Sequence, residues 1–155
     1  MPMRLHDPLQ TMARAYEEIC AGEEPWVALG NFINEWFMYA TDRRAELIAE
    51  PPAERQAPTP EEHRWACFIA ASVEYLCQEY AVPCPKWVYE HPDNYRLAEP
   101  WYDTPYLNEE IRAWLEETTP EPFKKRNIYC GDRLYVDKRD VVVHAISPEF
   151  FFKQL

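Results

Sequence analysis

Glycine is scarce in this 155-residue chain: three residues, Gly22, Gly30 and Gly131, stand far apart. Neither a phosphate-cradling P-loop nor a dinucleotide-binding fingerprint can be built from them, because both need clustered glycines where backbone meets phosphate. Positive charge is short as well, with 16 Lys and Arg against 27 Asp and Glu and a net charge of −11. General nucleic-acid binding needs clustered Lys and Arg, so this balance argues against it. It argues equally against adsorption to an anionic membrane surface. No apolar run approaches the roughly 20 residues of a membrane-spanning helix. No charged-then-apolar leader precedes Met12. The five cysteines, Cys20, Cys67, Cys77, Cys84 and Cys130, never fall two to four residues apart, which removes zinc-finger spacing. Their odd number and wide spacing point to reduced thiols in a cytoplasmic protein.

What the chain does have is apolar and aromatic material, at 47% and 15% of its residues, and 15 prolines. A single domain of this length buries about 68–70% of the surface of its unfolded chain, enough to fold without disulfides or a structural metal. Proline fixes φ and stiffens connections, so ordered turns are expected despite the missing glycines. Residues 1–155 are therefore read as one domain.

Hydrophobic spacing predicts a mainly α fold with about four main helices. Asp7-Pro8 is expected to open the first, with Leu9, Met12, Tyr16, Ile19 and Cys20 on its inner face and Gly22 closing it. Pro25 starts a second that is expected to run to about Ala49 and to be the central one, since Trp26, Leu29, Ile33, Trp36, Phe37 and Ala40 share a face that Phe32 and Met38 widen. Residues 51–60 read as a surface linker. Thr59-Pro60-Glu61-Glu62 is a capping-box start for the third helix, which buries Trp65, Phe68, Ile69, Val73, Leu76, Cys77 and Tyr80 and stops at Pro83. Residues 83–106 hold five prolines among Trp87, Tyr89, Tyr95, Trp101 and Tyr102. The rings predict an ordered segment pinned to the helices, with Trp87 and Trp101 as its main anchors. Leu107–Glu117 forms the fourth helix, with Leu107, Ile111, Trp114 and Leu115 inward, and Thr119-Pro120-Glu121 starts one further turn. Ile128-Tyr129-Cys130 and Leu134-Tyr135-Val136 flank Gly131-Asp132 like a β-hairpin, and Val141–Ile146 can add a third strand.

The chain carries few residue patterns that point to chemistry. His63 and Cys67 lie four apart on one helical face and could share a metal, but no further ligands stand at a recognisable spacing. Cys84 and His91 are the candidates for a nucleophilic pair, although a Pro-Cys-Pro turn is explained as well by packing. The paired carboxylates at Glu17-Glu18, Glu61-Glu62 and Glu109-Glu110 read as solvated helix faces or first-turn charge. No catalytic, cofactor-binding or metal-ligating residue is assigned. One feature stands apart. From Lys124 to Asp140 six basic residues face three aspartates, while everything before carries the negative excess. Such polarity suggests a charge-complementary contact. The contact residues expected are Lys124, Lys125 and Arg126 with the rings of Tyr95 and Tyr102, toward another protein or a second copy.

Across residues 64–132, a little under half the chain, a set of motifs resembles a family of uncharacterised bacterial proteins sometimes labelled antitoxin-like or regulator-like. The motifs are Trp65-Ala66, Tyr75-Leu76-Cys77, Val82-Pro83-Cys84-Pro85-Lys86-Trp87-Val88, Glu99-Pro100-Trp101-Tyr102 and Thr119-Pro120-Glu121-Pro122-Phe123-Lys124-Lys125-Arg126-Asn127-Ile128. In some relatives the module follows an N-terminal helix-turn-helix. Here residues 1 to 50 read as core helices without a basic recognition helix. The resemblance implies a bacterial cytoplasmic origin and a binding role. The leading expectation is thus a non-enzymatic protein-interaction module, antitoxin-like in the sense of masking a partner. A small-molecule-binding regulatory domain, with the aromatic segment as a lid, comes second, and an enzyme with an unfamiliar site third.

Overall fold

A computed structural model describes residues 9–135. The fold is mainly α. Helix α1, Met12–Cys20, starts at Thr11, whose hydroxyl accepts from the amide of Arg14. Asp7-Pro8, expected to open it, lies outside the described residues. Gly22, at φ +107°, ends α1, and the amides of Gly22 and Glu23 return to the carbonyls of Ile19 and Glu18. That is the paired reverse bonding of a Schellman stop, where a Cβ would strain the left-handed residue.

Helix α2, Pro25–Asn34, is capped by the Glu24 carboxylate, which accepts from the amides of Trp26 and Val27. It does not run to Ala49. A π-helical turn, Glu35–Tyr39, follows, closed by an Ala40 amide donating to the Glu35 carbonyl at 2.8 Å. The chain then breaks at Ala40 and resumes as a 3-10 turn, Thr41–Arg43, and the short helix α3, Arg44–Leu47. Within this wide turn the consecutive residues Glu35, Trp36 and Phe37 are all buried. Arg44 fastens the break by donating to the Trp36 carbonyl while its guanidinium lies 5.0 Å over both Trp36 and Tyr80.

The central helix is α4, Pro60–Tyr80, rather than the second helix. Its capping box is present in full: Thr59 accepts from the Glu62 amide, and Glu62 accepts from the Thr59 amide. Residues 65–74 form an unbroken buried run. The small side chains of Ala66, Ala70, Ala71 and Ser72 let neighbours approach from several sides, so an apparent stripe becomes a fully enclosed rod. Phe68 is the hub of the aromatic core, touching Trp26, Trp65, Trp101 and Phe123 edge-on or tilted. Among the described residues no helix is long and apolar enough to cross a membrane.

The proline-rich segment 83–106 packs on α4, as its rings predict. A 3-10 turn, Lys86–Tyr89, buries Val88, and Tyr95 and Leu97 are buried beyond it. The Trp87 indole donates to the Ile48 carbonyl at 2.9 Å, and Trp101 stands edge-on to Trp65. Strand β1, Trp101–Tyr102, leads to α5, Glu109–Thr118, then α6, Glu121–Lys124, then β2, Ile128–Tyr129. Among the described residues the expected hairpin is not formed. Instead β2 pairs with β1 in parallel, with Trp101 opposite Ile128 and Tyr102 opposite Tyr129. A parallel pair needs a long crossover, here α5 and α6. After Gly131 the chain bends inward, and Tyr135 shares a 2.7 Å hydrogen bond with Ser72 of α4. That contact takes Leu134–Tyr135 out of reach of an antiparallel return. Val136 and Val141–Ile146 lie outside the described residues.

Candidate functional site

The residues of the basic run part in exposure: Lys125 is exposed, Lys124 half-buried and Arg126 buried, while Lys138 and Arg139 lie outside the described residues. Arg126 is 2% exposed, and its Nη1 meets Glu74 Oε1 at 2.7 Å and the Pro122 carbonyl at 2.7 Å. Lys125 Nζ meets the other Glu74 oxygen at 2.7 Å and lies 5.5 Å over the ring of Tyr89, whose hydroxyl also donates to Glu74. Burial would raise the Glu74 carboxyl, but the hydrogen bonds from Lys125 and Arg126 hold it below the ordinary glutamate value. Lys124 donates to the Glu116 carbonyl in the last turns of α5. Two of the three expected contact cations thus neutralise a buried carboxylate, and the third helps hold α5. Arg126 is corrected from surface contact to core. Sequence carries no local sign of this, since Glu74 lies some fifty positions upstream.

The two rings part company. Tyr95 is 5% exposed and cannot be a surface contact; it packs between His91 and Trp87. Tyr102 is half-buried, stacked on Tyr129 at 4.8 Å, covered by Arg112 at 4.9 Å, and donates its hydroxyl to Glu116. That bond raises its phenol above the ordinary value. Tyr102 therefore sits at the foot of α5, the most open described helix.

On α5 only Leu115 is buried, whereas Leu107, Ile111, Trp114 and Leu115 were all expected inward. Leu107 is 45% and Tyr106 73% exposed, and Ile111 and Trp114 are half-buried. Asn108 caps the helix through the Ile111 amide. Glu109, Glu110, Glu116 and Glu117 are exposed along it against the single cation Arg112. The result is an acidic ledge with an apolar edge, set beside a two-stranded sheet.

A second locus joins residues that the sequence offers separately. Asp93 receives His63 Nε2 on one oxygen at 3.1 Å and His91 Nδ1 on the other at 2.5 Å. The turn that presents Asp93 has two consecutive left-handed residues, Asn94 and Tyr95. The cluster borders a cavity of about 220 Å³ lined by Tyr16 of α1, Pro52, Glu54, Arg55, His63, Ala66, His91 and Tyr95. Asp93 belongs to none of the motifs that the sequence singles out.

This cluster is not a nucleophilic triad. Cys67 Sγ lies 3.6 Å from His63 Nε2, the same nitrogen that faces Asp93. One nitrogen cannot donate to a carboxylate and accept a thiol proton together. Cys67 is also fully buried, and burial pushes its thiol up to about 12. Cys77, pushed up to about 12 by burial and by its neighbour Cys84, is no better a nucleophile, and Cys84 contacts Cys77 rather than pairing with His91. All five cysteines are free thiols. Among the described residues no three His, Cys, Asp or Glu side chains converge as metal ligands.

Comparison with protein-family models, with curated proteins and with solved structures finds no match.

Proposed function

We propose that the protein is a non-enzymatic protein-interaction module whose binding face is the α5 ledge, in place of the basic run. The observation that carries this is the exposure of α5 and of the two residues that lead into its cap: the helix buries one side chain, and Tyr106 and Leu107, just before Asn108, stand in solvent. A surface helix normally turns its apolar side chains to the core, yet Ile111 and Trp114 of α5 are only half-buried. Apolar side chains rimmed by charge on a helix are the usual material of helix-in-groove recognition. The four exposed glutamates select a partner with basic side chains around an apolar groove and would speed its approach at low salt. The likeness of residues 64–132 to antitoxin-like proteins points to the same kind of role, a module that masks a partner.

Site-specific photo-crosslinking in the native cell tests this. A photoreactive residue in place of Tyr106 is expected to give one discrete crosslinked species, which Glu109→Lys with Glu110→Lys suppresses. Absence of that species, or its persistence at full yield in the charge-reversed variant, would overturn the proposal.

A further inference from the structure

Helix α4 ends in a turn that folds the chain back over one of its own thiols. Ala81 stands in the left-handed region at φ 56°, and its amide and that of Val82 both return to the Cys77 carbonyl. Pro83 and Pro85 then stiffen the backbone on either side of Cys84. Cys77 Sγ lies 3.8 Å from the Pro83 carbonyl, and the Cys84 thiol meets both the Cys77 thiol and the Tyr89 hydroxyl. Two sulfurs from either side of the helix end are thus held in contact by a rigid turn.

The two differ in access. Cys77 is 4% exposed, and burial together with Cys84 pushes its thiol up to about 12, so it is a poor entry point for a reagent. Cys84 is half-buried and open to solvent in part. Thiol oxidation starts at an accessible sulfur and passes to a second thiol where one is in reach. The turn supplies that second thiol.

We propose that Cys84 and Cys77 form a peroxide-reactive dithiol, in which a hydroperoxide oxidises Cys84 and Cys77 resolves it as an intramolecular disulfide. The Cys84 sulfur attacks one peroxide oxygen, the O–O bond breaks, and the thiol proton passes to the departing oxygen. That leaves a sulfenic acid on Cys84 and releases an alcohol, or water from hydrogen peroxide. The Cys77 sulfur then attacks the Cys84 sulfur, the S–O bond breaks, and the leaving oxygen takes the Cys77 proton as water. Two electrons pass from the sulfurs to the peroxide. Contact between the thiols makes the second step intramolecular, which favours it over further oxidation of the sulfenic acid. The new bond ties the turn to the end of α4. The pair is apart from the α5 ledge, so its loss leaves the Tyr106 crosslink untouched.

The test treats the reduced full chain with hydrogen peroxide, alkylates the remaining thiols under denaturing conditions and cleaves after glutamate. Cleavage at Glu74, Glu79 and Glu90 puts Cys77 in residues 75–79 and Cys84 in residues 80–90, so only a disulfide keeps the two fragments together. Mass spectrometry is expected to find them joined, and separate again after reduction, with Cys20, Cys67 and Cys130 alkylated. With dimedone present, Cys77→Ser should trap the sulfenic acid on Cys84, and Cys77→Ala should do the same should the serine disturb the buried site. Cys84→Ser should leave Cys77 alkylated and free of dimedone. Fragments that stay separate in the oxidised wild type, a link from either cysteine to one of the other three, or dimedone on another cysteine in place of Cys84 would overturn the proposal.

Discussion

Helices α4 and α5 are both amphipathic, both capped by a side chain on their N-terminal amides and both acidic in their first turn, yet they meet opposite fates. The first is enclosed along residues 65–74, while the second buries Leu115 alone, outside the main core cluster. Small residues explain the enclosure of α4. Helix α5 is held differently, through the Lys124 bond to Glu116 and the contacts of Tyr102 with Glu116 and Arg112. Exposed polar contacts of this kind contribute little stability. The fold thus invests its burial in α4 and leaves α5 available for contact. The difference teaches that apolar periodicity reports a helix, while the neighbours decide whether its face is covered.

Breaking α4 should have the largest effect, and the sharpest place is its one buried charge. Glu74→Gln strands Arg126, which is 2% exposed and cannot give up its proton. The expected loss is about 3–5 kcal/mol in urea unfolding, the usual cost of orphaning a buried charge. The double variant Glu74→Leu with Arg126→Met removes both charges and should recover most of that loss, because replacing a whole buried pair by apolar groups is often neutral. A Glu74→Gln protein as stable as the wild type would mean that Arg126 reaches water, and that the contrast between the two helices is overstated.

The second effect is pH-dependent and belongs again to α4. Burial pushes Cys67, Tyr75 and Cys77 of this helix up to about 12, from ordinary values of 9.0 for a thiol and 10.0 for a phenol. Tyr95, packed against the same core, is raised to about 12 by burial and by Glu54. In each case the folded state holds its proton longer than the unfolded one. Their contribution is therefore fully present below about 9 and is lost as pH rises toward about 12. Unfolding midpoints measured across that alkaline range should fall steadily, and more gently in Cys67→Ala. A flat profile would show that these groups are solvated in the native state.

Legibility in the sequence follows the range of the interaction. Local signals were read correctly: the Thr59/Glu62 capping box, the Pro25 start, the Gly22 stop and the packing of the rings in 83–106. Interactions between distant residues were not. The parallel pairing of Trp101–Tyr102 with Ile128–Tyr129 is two residues long, too short for an alternation pattern, and Gly131-Asp132 offered a plausible hairpin instead. The run Lys124–Arg126 looked like surface because Glu74 lies on another helix. Likewise, His63 and His91 come together beside Asp93, from separate elements, and the sequence paired each with a cysteine instead. The second helix was read as too long because its apolar face is continuous, and nothing local announces the π-helical turn at Glu35–Tyr39 that ends it.

The smallest effect expected is the most informative about α5. Tyr106→Ser and Leu107→Ser replace apolar side chains that are 73% and 45% exposed. Neither side chain belongs to the core cluster, so little apolar surface returns to water when they are removed. Each substitution should change the unfolding free energy by no more than about 0.5 kcal/mol, within the range of surface changes away from caps and cores. The Asn108 cap, which accepts from the Ile111 amide, is untouched by both, so helix content by circular dichroism should also stay constant. A loss of about 2 kcal/mol or more in either variant would mean that these side chains are covered in the folded protein. The ledge would then be part of the core, and α5 would differ from α4 in degree alone.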